Sequence, residues 1–240
     1  MIIIPAIDLR KGKCVRLTKG EEGTEVIFSD NPVDVAKKWE RSGAEWIHVV
    51  DLDGAFEGKP YNLEVIEEIV DAVSCNVQVG GGIRNEGVVE KYIGAGVDRV
   101  IIGTAAFGNS EFLDNICARF PGRIAVGIDT RNGKIAVKGW KETLNIAYEE
   151  VISDFYKRGV SLIIHTNIDR DGTMEGVNIE PVAGFVSSSQ LPVIVSGGIA
   201  SMDDLEKLSH INSNNLYGVI LGKSIYTGTI DLKVAIERYS

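Results

Sequence analysis

Short apolar runs rich in β-branched residues recur along the whole chain. Each is followed by a stretch whose apolar positions return every three to four residues. The first kind of pattern predicts eight strands, at 2–8, 46–51, 76–80, 99–103, 124–129, 162–166, 192–196 and 218–222. The second predicts helices between them. "NPVDVAKKWERSG" shows the signals most clearly, with Asn31 as cap, Pro32 at the first helical position and Gly43 as stop. Stretches 62–73, 85–94, 110–119, 143–159, 178–188, 201–210 and 231–238 follow the same logic. The strands are apolar on consecutive positions, so both faces are buried, as in a parallel sheet covered by helices. Eight strand–helix units in one chain predict a closed (β/α)8 TIM barrel. An open doubly wound sheet is the structural alternative. No linker or low-complexity segment interrupts the pattern, so residues 1–240 are expected to form a single domain.

The pattern also repeats. "VGGGIR" at 79–84 returns as "VSGGIA" at 195–200, an offset of 116. "DGAFEG" at 53–58 returns as "DGTMEG" at 171–176, and Asn62 as Asn178. "VIIGTAAF" at 100–107 returns as "VILGKSIY" at 219–226, and Asp8 aligns with Asp129 at an offset of 121. A period of half the chain excludes a solenoid of short repeats. It predicts two half-barrels of four strand–helix units related by a pseudo-twofold axis.

Composition narrows the class without changing the architecture. The 240 residues are close to the length typical of such a barrel, and 44% hydrophobic with 25% charged residues suits a globular protein with a full core. There is no apolar run long enough to span a membrane, and the opening "MIIIPAIDLR" lacks the basic flank of a secretory signal. Cys14, Cys75 and Cys117 are odd in number and scattered, which argues against disulfides or a zinc site and for a reducing cytoplasm. The three histidines are dispersed, so no metal is expected. A net charge of −9 disfavours nucleic acid, and it means that any anionic substrate needs a locally positive site.

Barrel active sites lie at the C-terminal ends of the strands, and the loops after strands 7 and 8 often hold a phosphate. Here these loops carry Gly197, Gly198, Gly222 and Lys223, with a short helical turn expected near Lys223. Glycine backbone and a helix N-terminus suit an anion. The symmetric loops carry Gly81, Gly82, Gly103 and Thr104, which predicts a second anion site and a ligand with a phosphate at each end. The same glycines could serve only to pack helices onto strands. Asp8 and Asp129 end strands 1 and 5, diametrically opposite in a ring of eight, and read as an acid–base pair. His48 and His165, 117 apart, read as buried, hydrogen-bonded imidazoles. Thr166 and Asp171 stand close enough to orient a carboxylate. Arg16 and Arg84 are the positive charges nearest the mouth. Trp140, in the loop after strand 5, is expected to be exposed in the empty protein and to fold over a flat ligand.

Taken together, "IPAIDLRKGKCVRLTKG", "WIHVVDLDGAFEG", "VGGGIR", "VGIDTRNGKIAVKGW", "HTNIDRDGTMEG", "SGGIAS" and "GVILGKSIY" resemble the phosphoribosylformimino-5-aminoimidazole carboxamide ribotide isomerases of histidine biosynthesis over essentially the whole chain. The resemblance implies a barrel that needs no cofactor and acts on a bisphosphorylated small molecule, and the chain is expected to be a monomer. It implies an Amadori rearrangement of an aminoaldose to an aminoketose. Asp129 would then match the general acid that opens the ribose ring and Asp8 the general base that takes the C2 proton. Thr166 and Asp171 would support the acid, and the glycine loops, with Gly172, would grip the phosphates. The cyclase of the same pathway shares these features, but its first strand reads closer to "PCLDV" than to the "PAIDL" found here. Dual isomerases that also act on phosphoribosylanthranilate tend to carry an arginine shortly before the loop tryptophan, where this chain has Lys138. A silent phosphate-binding barrel would have no need of both aspartates.

Overall fold

A computed structural model describes residues 1–17, 22–137, 139, 140 and 142–240. Eight parallel strands form the barrel: β1 (Ile2–Arg10), β2 (Trp46–Asp51), β3 (Asn76–Gly80), β4 (Arg99–Ile102), β5 (Ile124–Arg131), β6 (Leu162–Asn167), β7 (Val193–Ser196) and β8 (Leu216–Leu221). Each pairs with the next in sequence, β8 returns to β1, and the β5–β6 ladder completes the ring. All eight expected strands are present, within two residues at each end.

The period of two along each strand separates two cores. Ile4 and Ala6 of β1, Ile101, Ala125, Leu162, Ile164, Ile194 and Ile220 fill the barrel interior. Ile3, Ile7, Ile47, Val79, Val126 and Ile163 point outward into the larger core beneath the helices. The interior also holds a polar file. Arg99 Nη1 donates to Gln78 Oε1 at 2.9 Å, and Gln78 Nε2 lies 3.1 Å from His48 Nδ1. At the floor, the Arg99 guanidinium stacks 3.9 Å from the Trp46 ring centre.

Caps start the helices where the sequence expects them. Asn31, Asn85, Asn109 and Asp231 each accept a backbone N–H from the first turn, and Ser201 forms a capping box with Asp204. One expected helix is too long. Residues 143–159 shrink to Tyr148–Lys157, because Glu142–Leu144 is a strand paired with Lys134–Val137. That ribbon and its counterpart near the N-terminus are not expected from the pattern of hydrophobic residues. β1 and β5 run past the barrel rim and fold back, so that Asp8 pairs with Val15 and Asp129 with Ala136 in antiparallel register. Lys11–Gly12 and Asn132–Gly133, all at positive φ, make the two tight turns. Both carboxylates therefore sit where a barrel strand becomes a hairpin.

Candidate active site at the barrel mouth

Asp8 shares the inward parity of Ile4 and Ala6, and Asp129 that of Ala125, so both carboxylates point into the mouth from opposite sides of the ring. Burial raises the pKa of each. Their neighbours differ. Arg16, on the strand that pairs with β1, places Nη1 2.7 Å from Asp8 Oδ2 and opposes the effect of burial. Asp129 has no cation beside it among the described residues. Its oxygens accept the Trp140 indole N–H at 2.7 Å and the Thr166 hydroxyl. Thr166 is held beside Asp129 by direct β5–β6 pairing. Asp171, on the loop after β6, is pushed up to about 6 by burial and by the negative charges of Asp8 and Asp129, with Arg16 acting against them. Three carboxylates and one guanidinium thus share the mouth.

Trp140 departs from expectation. It is half-buried rather than exposed, because its N–H is taken by Asp129 and its own carbonyl accepts from Arg131 at 3.1 Å. Its φ of 69° puts a bulky residue in the left-handed region, a conformation that the surrounding contacts must hold. Lys138 lies outside the described residues.

The paired glycine loops have a structural reason for being glycine. A Cβ on Gly81 would stand 2.2 Å from the Asp51 carbonyl oxygen, and one on Gly82 would stand 1.9 Å from that of Gly54. In the other half, Gly197 faces the Asn167 carbonyl at 2.7 Å and Gly198 the Arg170 Cβ at 2.7 Å. All four have positive φ. The loop after each third strand packs directly on the loop before it, so glycine here reports close approach of backbone to backbone. Gly103 precedes the short helix Thr104–Phe107, and Gly222 precedes Lys223–Thr227. Lys223 reaches across to the Gly172 carbonyl at 3.1 Å. Arg84 is exposed at the rim and lies against Gly58 and the Ala55 carbonyl.

His48 and His165 do not share an environment. An offset of 116 superposes Trp46 on Leu162, so 117 is one residue out of step and puts the two rings on opposite faces. His48 points inward to Gln78, whereas His165 points outward, stacks 3.9 Å from Phe185 and meets the Thr130 hydroxyl at 3.0 Å. Burial lowers both, to about 3 and about 4. They are neutral core imidazoles, as expected.

One group at the mouth has no counterpart in the expectations. Asp51 accepts the backbone N–H of Gly54, Tyr61 and Asn62, the Asn62 side-chain amide and the Tyr92 hydroxyl. Asn62 also donates to Asp53 and accepts from Gly12 N, while Asp53 accepts from Lys11 N. The cluster ties the first hairpin to the loop after β2. The repetition of Asn62 as Asn178 marks the position, but not its role.

Fold and site together define a class: a (β/α)8 barrel with unlike carboxylates facing one another across its C-terminal mouth. The sequence pattern of the family described as histidine biosynthesis protein matches residues 2–231, and the chain belongs to that family. Among curated proteins it is 48% identical over 237 residues to the 1-(5-phosphoribosyl)-5-((5-phosphoribosylamino)methylideneamino) imidazole-4-carboxamide isomerase of Trichlorobacter lovleyi, covering 99% of this chain and 97% of that one. Proteins of the same name from Geobacter sulfurreducens (48% over 236 residues, covering 98% and 97%) and Desulforudis audaxviator (47% over 240 residues, covering 99% and 92%) are similarly close.

Proposed function

We infer that the chain is the isomerase of histidine biosynthesis that converts the bisphosphorylated aminoaldose N'-(5'-phosphoribosyl)formimino-5-aminoimidazole-4-carboxamide ribonucleotide into its aminoketose. The observation that carries the assignment of roles is the difference between the two facing carboxylates. Arg16 beside Asp8 favours the ionised form that a base requires. Asp129, buried and with no cation beside it among the described residues, favours the protonated form that an acid requires. Asp129 protonates the ribose ring oxygen, the ring opens to a Schiff base, Asp8 removes the C2 proton, and the enolamine tautomerises to the ketone. Thr166 orients Asp129, and Asp171 adds a second carboxyl whose pKa is raised to about 6.

The two phosphates fit the paired loops, with Gly81, Gly82, Gly103 and Thr104 at one end of the substrate. Gly172, Gly197, Gly198, Gly222 and Lys223 stand at the other. Arg84 and Lys223 supply positive charge at different rims of an otherwise acidic protein. Every one of these groups lies on one chain, which supports a monomeric enzyme. The three free thiols suit a reducing compartment, and no helix among the described residues is long and apolar enough to cross a membrane.

The test is turnover by the purified chain, followed by the absorbance change of the aminoaldose in the absence of ammonia, with phosphoribosylanthranilate as a parallel substrate. Turnover of the aminoaldose without ammonia is expected. A requirement for ammonia would assign the chain to the cyclase reaction instead.

A further inference from the structure

The arginine that distinguishes Asp8 from Asp129 is itself held in a built enclosure. Its Nη2 donates to the Ala6 carbonyl and its Nη1 meets Asp8. One face of the guanidinium lies 5.1 Å from the Tyr226 ring centre, within cation–π range. Gly222 stands against the same group: a Cβ there would approach Arg16 Cζ to 3.2 Å. The Tyr226 hydroxyl donates to the Ala6 carbonyl at 3.2 Å, so phenol and guanidinium share one acceptor. The phenol ring is fixed in turn. Phe28 packs 5.0 Å from it and Trp39 meets it edge-on at 5.4 Å.

The pseudo-symmetric half offers a built-in control. The repeat places Phe107 opposite Tyr226 and Val137 opposite Arg16. Phe107 packs on Phe155 at 5.5 Å, an apolar contact with no cation against it among the described residues. The half with the phenol has the arginine, and the half without the phenol lacks it. Ring packing alone does not require the hydroxyl. The adjoining glycine is common to both halves, but a Cβ on Gly222 would meet the Arg16 guanidinium, whereas one on Gly103 would meet nothing within 4 Å.

We propose that Tyr226 is a positioning residue for the isomerisation: its ring face and hydroxyl, with the space left by Gly222, hold Arg16 on Asp8 and so keep the base ionised. This rests on the assignment of Asp8 as base. Among the described residues, the charged and titratable groups around Asp8 are Arg16 and Cys14 from the adjoining strand, Tyr226 from the helix after β8, Asp171 from the loop after β6, Asp129 from β5 and His48 from β2. Among them Arg16 alone carries a positive charge, because His48 is neutral. Loosening Arg16 therefore raises the pKa of Asp8, and the acid limb of kcat/KM, which reports the base in the free enzyme, moves to higher pH.

The experiment is the pH profile of kcat/KM for the full chain, with melting curves to establish folding. Tyr226→Leu removes the ring face and the hydroxyl, Tyr226→Phe removes the hydroxyl alone, and pentafluorophenylalanine at position 226 keeps the ring shape but removes the hydroxyl and the negative face. The leucine and fluorinated variants are expected to move the acid limb up by about one pH unit. The phenylalanine variant is expected to move it less. If the leucine variant does not fold, the near-isosteric fluorinated ring still decides. Folded variants with lowered kcat but an acid limb at the parent's pH would reduce Tyr226 to a packing residue and overturn the proposal. A parent chain that does not turn over the aminoaldose would instead overturn the functional reading beneath it.

Discussion

Asp8 and Asp129 occupy equivalent places in the two halves, and their chemistry is set by what stands next to each. Either one replaced by asparagine keeps its shape but loses the proton it takes or gives. Asp8→Asn and Asp129→Asn are each expected to fold and bind substrate while kcat falls roughly 100-fold or more, which steady-state kinetics would measure. Near-parent turnover would remove that residue from the mechanism. Asp171 makes a different prediction. Its folded pKa of about 6 lies above the ordinary value of 3.8, so between these limits the folded state binds more protons than the unfolded one. Stability then falls as pH rises through this window, and the cost is fully present above about pH 6. Asp171→Asn is therefore expected to be stabilising by on the order of 2 kcal/mol at pH 8 and much less at pH 4, while slowing turnover. Denaturant melts at the two pH values compare them, and equal shifts would rule out the charge as the cause.

At the scale of elements, the two hairpins that carry the mouth are tethered unequally. Asn62 is 3% exposed and links Gly12, Asp51 and Asp53. Asn62→Ala would leave buried partners unsatisfied, with an expected loss of about 3 kcal/mol in urea unfolding. Activity should fall as well, since the tethered hairpin carries Arg16. In the second half the matching tether is Asn132 N to Asp169 Oδ2 at 2.9 Å, but the Asp169 side chain is 41% exposed. Asp169→Ala should cost less than about 1 kcal/mol, because water replaces the lost acceptor. The loosely tied hairpin is the one that bears Trp140. For the indole to stack on a ligand it must give up Asp129, so ligand binding is expected to free that carboxyl. Trp140→Ala should weaken substrate binding by about 1–3 kcal/mol, the range for an aromatic ring stacked on a base, with residual turnover. If a product titration changed the fluorescence of the parent and of Trp140→Phe identically, the stacking role would be lost.

Across the whole molecule, the twofold repetition places a glycine loop on each side of the mouth. Crystals grown with sulfate or phosphate are expected to show two bound anions, one at Gly81, Gly82, Gly103 and Thr104 and the other at Gly197, Gly198, Gly222 and Lys223. Anions that avoid both sets would remove the basis for a doubly phosphorylated ligand.

The barrel was legible in the sequence because short continuous apolar runs and capped, period-3.6 segments are local properties of the chain. The eight strands and the facing of Asp8 and Asp129 follow from counting them. The hairpins were marked only by "KG" and "NG" at the turns, a signal that the surrounding strand and helix patterns masked. What lay beyond the sequence were contacts between residues far apart in it. Asn62 meeting Gly12, Trp140 taking Asp129 and Tyr226 seating Arg16 all depend on which loops the closed ring brings together. The glycine pairs show the same division. Their sequence reads as an invitation to a ligand, but tertiary packing shows another backbone within 3 Å, in the space where a Cβ on Gly81, Gly82 or Gly197 would sit. Periodicity determines which way each side chain points, and only closure of the barrel determines what it meets there.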